Sequence, residues 1–264
     1  MSYHSSDDEG TYRKEFGRGH IYILDGSRVT GVTTILNALP KPLAKWGAEK
    51  TAELAINEWD RLSQLPVSAR LRELEGAPWR DLEFSAAKGT KIHQYAEARA
   101  RGTTLTLSAD VAGYVEACSA FLDDWQVRPV LSERPVFSRQ HRYGGSFDLI
   151  ADLGDNQRWL LDYKTSRSIW GDTGLQLAAY RYADIYLDED GAEQPMPEVD
   201  QCGVIWLRPD GTYELHPYTA DRDVHALFLI LKAVSEGQDD IKSYQGPAIP
   251  PPVTLAAYSG RESR

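Results

Sequence analysis

The sequence predicts an α/β chain with helices flanking a central sheet, on three observations. Two apolar runs, residues 146–152 and 158–164, lie either side of Gly154-Asp155-Asn156, a cluster of the kind that closes a β-hairpin. Apolar side chains occupy both alternating sets of that hairpin, Ile150 with Leu160 and, opposite, Phe147, Leu149, Leu161 and Tyr163, so it belongs in the middle of a sheet covered on both faces. Finally, the segments run in the order helices, three strands, a helix, two strands and a helix.

In chain order, residues 1–18 are polar and read as a mobile start. Residues 20–24 read as a short strand turned by Asp25-Gly26, and 33–39 as a helix ended by Pro40. Pro42 starts a helix to about Ser63, with Leu43, Trp46, Leu54 and Leu62 as candidates for its buried face. A shorter helix over 68–75 and a separate one over 81–101 follow. The clearest helical stripe is Tyr114, Cys118, Phe121, Leu122 and Trp125, within residues 110–125. Residues 129–138 alternate as a strand that carries Glu133.

Beyond the hairpin, residues 173–187 read as a helix with Gln176 and Tyr180 on one face. An acidic loop over 188–200, strands over 202–207 and 212–218 around Asp210-Gly211, and a helix over 221–236 with Val224, Leu227, Phe228 and Leu231 complete the pattern. The proline-rich end from Gly246 reads as an extended tail. The expected division is a tail and helical cap over 1–80, a core over 81–237 and an extended end over 238–264.

Composition narrows the function. The 264 residues leave ample room for a core, and a net charge of −10 argues against a protein that coats nucleic acid with its whole surface. Charge is uneven: residues 188–200 hold six acids and no base, while 61–101 hold eight Lys or Arg against five Asp or Glu. That basic excess fits a face beside an active site and equally an ordinary solvated helix. Two cysteines, Cys118 and Cys202, supply neither a disulfide framework nor a four-cysteine cluster. With no apolar run of membrane-spanning length and no leader pattern, the expectation is a soluble, cytoplasmic protein without membrane partners. No GxxxxGK[ST] phosphate loop is present, so a helicase motor would be a separate chain.

The hairpin carries the chemistry. With Asp155 at its tip, residues whose numbers sum to 310 face each other, which pairs Asp148 with Asp162. Opposed Cβ atoms lie about 4.5–5.5 Å apart and like charges there repel. Lys164, two residues after Asp162, projects from the same face. Two readings are open: a salt bridge and nothing more, or a divalent-cation site. One lysine for two acids leaves a negative charge unbalanced, which favours the cation, and oxygen ligands point to Mg2+ or Mn2+.

The strings GGSFD, LLDYKTS and QLAAY resemble motifs of the PD-(D/E)xK nuclease superfamily, in particular its RecB-like exonuclease branch. The resemblance covers about residues 86–207 and is strong only from Tyr143 to Tyr180. It implies a restriction-endonuclease-like core with a mixed sheet, and a metal held by Asp148 and Asp162, with the Tyr163 carbonyl adding a ligand. It implies that Lys164 assists the attacking water, as orienting group, base or charge stabiliser. Gln176 and Tyr180 match a glutamine-tyrosine helix motif suited to binding substrate, and His93 in GTKIH matches an upstream histidine ligand. Glu133 is a secondary candidate, since an acid on that strand can approach the metal and can equally form an edge salt bridge. Some RecB-like nucleases carry an iron–sulfur cluster; the ligands for one are missing here. The function implied is a magnesium-dependent DNA exonuclease of recombination or repair, with a recombination or helicase protein as partner. A structure-selective endonuclease and a non-cleaving nucleic-acid-binding subunit are the alternatives.

Overall fold

The computed structural model describes residues 10–16, 19–100, 102–103, 105, 108–154 and 156–249. The protein is a mixed α/β fold, its sheet built around β5 (Tyr143–Asp152). Along one edge β5 pairs antiparallel with β4 (Arg128–Ser138). Its other edge is shared: β3 (Ser27–Gly31) runs parallel to Tyr143 and Gly144, and β6 (Arg158–Lys164) runs antiparallel to residues 149–152. Residues 145–148 therefore lie where the sheet forks. Parallel β9 (Gln201–Leu207) and antiparallel β10 (Tyr213–Pro217) extend it beyond β6. On the far side of β4 come β7 (Ile185–Leu187) and β8 (Glu193–Pro195), while β1 (Tyr12–Phe16) and β2 (Gly19–Leu24) extend it beyond β3.

Helices cover both faces, as the doubly apolar hairpin requires. On one side α1 (Val32–Leu36), α5 (Thr173–Arg181) and α6 (Arg222–Ile241) bury Ile35, Leu177 and Phe228 against Ile150 and Leu160. On the other, α3 (Val67–Ala100) and α4 (Ala112–Asp124) bury Ile92, Cys118 and Phe121 against Leu149, Leu161 and Tyr163. The hairpin register matches the sum of 310 through Leu149–Leu161, Ile150–Leu160 and Ala151–Trp159. Its connection is closed by Leu153 N–H to Gln157 O, with Asn156 left-handed at φ 63°; the expected tip, Asp155, lies outside the described residues.

Several boundaries differ from expectation. Residues 12–16 form a strand rather than a mobile start, and Ser27–Gly31 adds a strand after the Asp25-Gly26 turn, so the N-terminal part is not purely helical. Residues 1–9 fall outside the description, as do 250–264 of the expected tail. Of the apolar candidates on α2 (Leu43–Ser63), Leu62 is buried and Leu43 is exposed. The helix expected over 173–187 stops at Arg181, because residues 185–187 pair with β4. The acidic loop contains β8, and Leu227 of α6 is exposed.

The largest correction is α3, which is one helix where two were expected and crosses the anticipated cap boundary at 80/81. Pro78 lies inside it. Proline has no N–H, so the Leu74 carbonyl loses its helical donor. The Thr51 hydroxyl of the antiparallel α2 donates to that carbonyl at 3.3 Å. A neighbouring helix thus satisfies the group that proline orphans.

The Gly144-Gly145 pair is a close-approach site between two aromatic rings. A Cβ on Gly144 would lie 2.7 Å from Tyr22 Cβ and Cγ, and one on Gly145 would strike Cε1 of buried Tyr180. Gly89 in α3 is different, since a Cβ there meets nothing within 4 Å. Gly145→Ala is expected to cost about 1–3 kcal/mol through overpacking. Gly89→Ala is expected to add about 0.4–1 kcal/mol by restricting the unfolded chain. Urea unfolding of both variants checks this; a neutral Gly145→Ala would mean that the Tyr180 ring is not held against the strand.

Candidate metal centre

The fork in the sheet makes the site. On β5, Tyr143, Gly145 and Phe147 face the α5 layer and Leu149 and Ala151 face the α4 layer, yet Ile150 faces α5 again. Alternation therefore changes phase between Phe147 and Leu149. Phe147, expected beside Leu149, packs instead with Ile150. The partner strand does the same, since Val136 and Leu131 both join the α5 layer. The residues at the change of phase are Asp148 and, across from it in register, Glu133. Glu133 has φ 49°, a left-handed conformation costly for a residue with a side chain and typical of functional sites.

That kink aims two carboxylates at one histidine. His93 Nδ1 lies 3.2 Å from Glu133 Oε1 and 3.3 Å from Asp148 Oδ1. Helix α3 brings His93 over the strands, with its ring edge-on to Tyr163 at 5.9 Å between centroids. The second oxygen, Asp148 Oδ2, accepts from the Tyr163 backbone N–H at 2.7 Å. Tyr163 thus meets the site through its N–H, while its side chain is buried in the α4 layer.

Asp162 faces the other way. Its Oδ1 accepts from Gln176 Nε2 at 2.9 Å, and its Oδ2 lies 2.7 Å from Lys164 Nζ. That oxygen is buried and accepts no hydrogen bond of good geometry. Gln176 Nε2 also reaches the Tyr180 hydroxyl at 3.2 Å, and Lys164 donates to Gln176 Oε1 at 3.4 Å. The phenol of Tyr180 is 2 % exposed, which does not suit the substrate contact expected of it. Gln176, half-buried, thus links the Tyr180 hydroxyl to both Asp162 and Lys164.

The electrostatics follow from burial and pairing. Burial opposes charge on His93, but Asp148 and Glu133 outweigh it and hold the imidazole pKa well above 6.5. Burial pushes Asp148 up, and His93, Lys164 and the Tyr163 N–H more than offset it, so its carboxyl ends below the usual range. For Glu133 and Asp162 burial prevails and both are raised. Burial lowers Lys164, yet the charge and contact of Asp162 raise it overall, so the ammonium keeps its proton. Without a metal, the His93 cation stabilises the fold fully below pH 6.5, and that contribution is lost as pH rises through its raised pKa.

The donors suit a hard divalent ion. One atom from each of His93, Glu133 and Asp148 lies within 4.8 Å of the others. Three carboxylates against the Lys164 ammonium, with His93 neutral, leave two negative charges, the charge such an ion would balance. Every expected site residue meets here, in two linked groups: His93, Glu133, Asp148 and the Tyr163 backbone, then Asp162, Lys164, Gln176 and Tyr180. Sequence reasoning missed Tyr22, whose hydroxyl bridges Ser146 Oγ at 3.2 Å and His20 Nε2 at 2.8 Å two residues before Asp148 on the same strand; no spacing signal marks a contact 124 residues apart.

Among the described residues no helix is long and apolar enough to cross a membrane. No family model and no curated protein matches the chain. Among solved structures the chain is similar to the crystal structure of SSO0001, at 12% identity and a TM-score of 0.32, over 78% of this chain and 82% of that one.

Proposed function

We propose that the chain is a metal-dependent DNA nuclease of the PD-(D/E)xK kind that hydrolyses phosphodiester bonds as an exonuclease in recombination or repair. The observation that carries this reading is one arrangement: Asp148 and Asp162 at the same level of adjacent strands, the Lys164 ammonium 2.7 Å from Asp162, and the His93, Glu133 and Asp148 donors converging at the fork. Glu133 joins His93 and Asp148 as a ligand, with Asp162 beside them. Bound there, Mg2+ or Mn2+ would supply Lewis-acid charge to the phosphate and lower the pKa of an attacking water.

The chain's own residues do the rest. Lys164, charged and braced by Asp162 and Gln176, offers positive charge to the phosphate oxygens as they gain negative charge. A lysine whose pKa is raised is a poor base. We therefore read Lys164 as a stabiliser of charge, among the roles the motif allows. Gln176, held by the Tyr180 hydroxyl, keeps both Asp162 and Lys164 in place.

Three outcomes are expected. Cleavage of end-labelled DNA requires Mg2+ or Mn2+ and stops in EDTA; undiminished cleavage in excess chelator would remove the metal from the mechanism. A circular single strand, which only an endonuclease opens, separates the two modes of cutting.

Lys164→Ala is expected to lower the cleavage rate by at least 100-fold, at about 1.4 kcal/mol per tenfold, while DNA affinity changes little, because one cation among many phosphate contacts matters more to the transition state. A parallel loss of affinity and rate would make Lys164 a binding residue.

His93→Ala is expected to weaken metal affinity, with partial rescue by high Mn2+. Metal must displace the proton that Asp148 and Glu133 hold on His93. Wild-type affinity should therefore fall as pH drops through the raised His93 pKa, above the window near 6.5 that an unperturbed imidazole would set. Calorimetric Mn2+ titrations across pH decide it, and an identical pH profile in His93→Ala would return the residue to a structural role.

A further inference from the structure

A cavity of about 480 Å³ opens on the Lys164 side of the site, away from His93. Its walls are mostly apolar: Leu39, Leu175, Tyr218, Val224 and Leu227, with Asp172 and Thr219 as polar groups. It adjoins the site through Asp172 and Tyr218, two lining residues close enough to Lys164 for their charges to act on one another. Leu227, 55% exposed on α6, lines this cavity, and Ile230 and Val234 continue the exposed apolar side of that helix beyond it.

The segment joining β6 to α5 forms one wall. It is fastened at both ends: Trp206 Nε1 donates to the Ser166 carbonyl at 2.8 Å, and the Tyr218 hydroxyl and Thr173 N–H both donate to the Trp170 carbonyl, at 3.1 and 3.2 Å. Trp170, next to Gly171 in the cavity wall, is nevertheless 64% exposed. A fixed backbone presenting a bare indole beside an apolar cavity suits a flat aromatic ligand. Its volume falls within the range of small-molecule sites.

Resting on the nuclease reading above, we propose that this cavity and Trp170 hold two neighbouring unpaired nucleobases of a DNA strand whose phosphate lies at Lys164. One base enters the cavity against Leu175, Tyr218 and Leu227, and the next stacks on Trp170. The substrate class this selects is single-stranded DNA, or a duplex end with its last bases unpaired, since a paired base has no free face to give.

Binding of a short single-stranded oligonucleotide, measured by fluorescence anisotropy with calcium as the divalent ion, tests this. Each nucleotide is replaced in turn by an abasic one. Two adjacent positions should each weaken wild-type binding about 5- to 150-fold, the range for stacking of about 1–3 kcal/mol per base. Trp170→Ala should abolish the penalty at one of them and Leu227→Gln at the other, and both exposed positions should leave the melting temperature unchanged. A wild type that binds and cuts DNA but shows a flat abasic profile overturns the base-binding role and leaves the nuclease reading standing. Variants that keep the wild-type profile do the same. A wild type that binds no DNA at all overturns both.

Discussion

Placing Asp148 and Asp162 at the same level of two adjacent strands sets the terms for everything around them. Two carboxylates removed from water beside each other must each find a cation or donors, since buried unpaired charge is prohibitively costly. The protein divides the task. Asp148 turns to His93 and the Tyr163 N–H on the α4 side, and Asp162 turns to Lys164 and Gln176 on the α5 side. His93 comes from α3 and Gln176 from α5, so the charge balance also ties helices on both faces to the central hairpin.

The division depends on where the sheet forks. Were β3 or β6 to run the full length of β5, residues 145–148 would be paired along that edge and Asp148 would stay in phase with its neighbours. Instead β5 and β4 both change phase there, and Glu133 takes up a left-handed conformation beside Asp148. Conformational cost and charge concentration coincide at one point, which is how a fold stores strain where chemistry needs it.

Support reaches this point from a distance. Gly145 lets Tyr180 lie against the strand, Tyr180 holds Gln176, and Gln176 holds Asp162 and Lys164. On the other face, His93 rides on a helix of 34 residues that passes through Pro78, with Thr51 of α2 capping the Leu74 carbonyl. The N-terminal helical pair is thereby part of the support of the site.

The register of the hairpin was legible in the sequence because its information is local: a strand's period of two and a short turn set which residues stand level, whereas the faces of Phe147 and Asp148 were not, because the change of phase at the fork depends on the strands paired around it. The helical stripe of α4 was legible for the same reason. Interactions between distant segments decided the rest. Residues 68–75 and 81–101 read as separate helices, and α3 runs through Pro78 between them because a second helix supplies the missing donor. Residues 185–187 read as helix until β4 offers them an edge. Glu133 is an ambiguous acid on a strand, and His93 a lone helical histidine, until the fork turns Asp148 toward both. Periodicity reports which side of an element is buried; only tertiary packing decides which charged groups meet there, because their cost and their compensation lie on different parts of the chain.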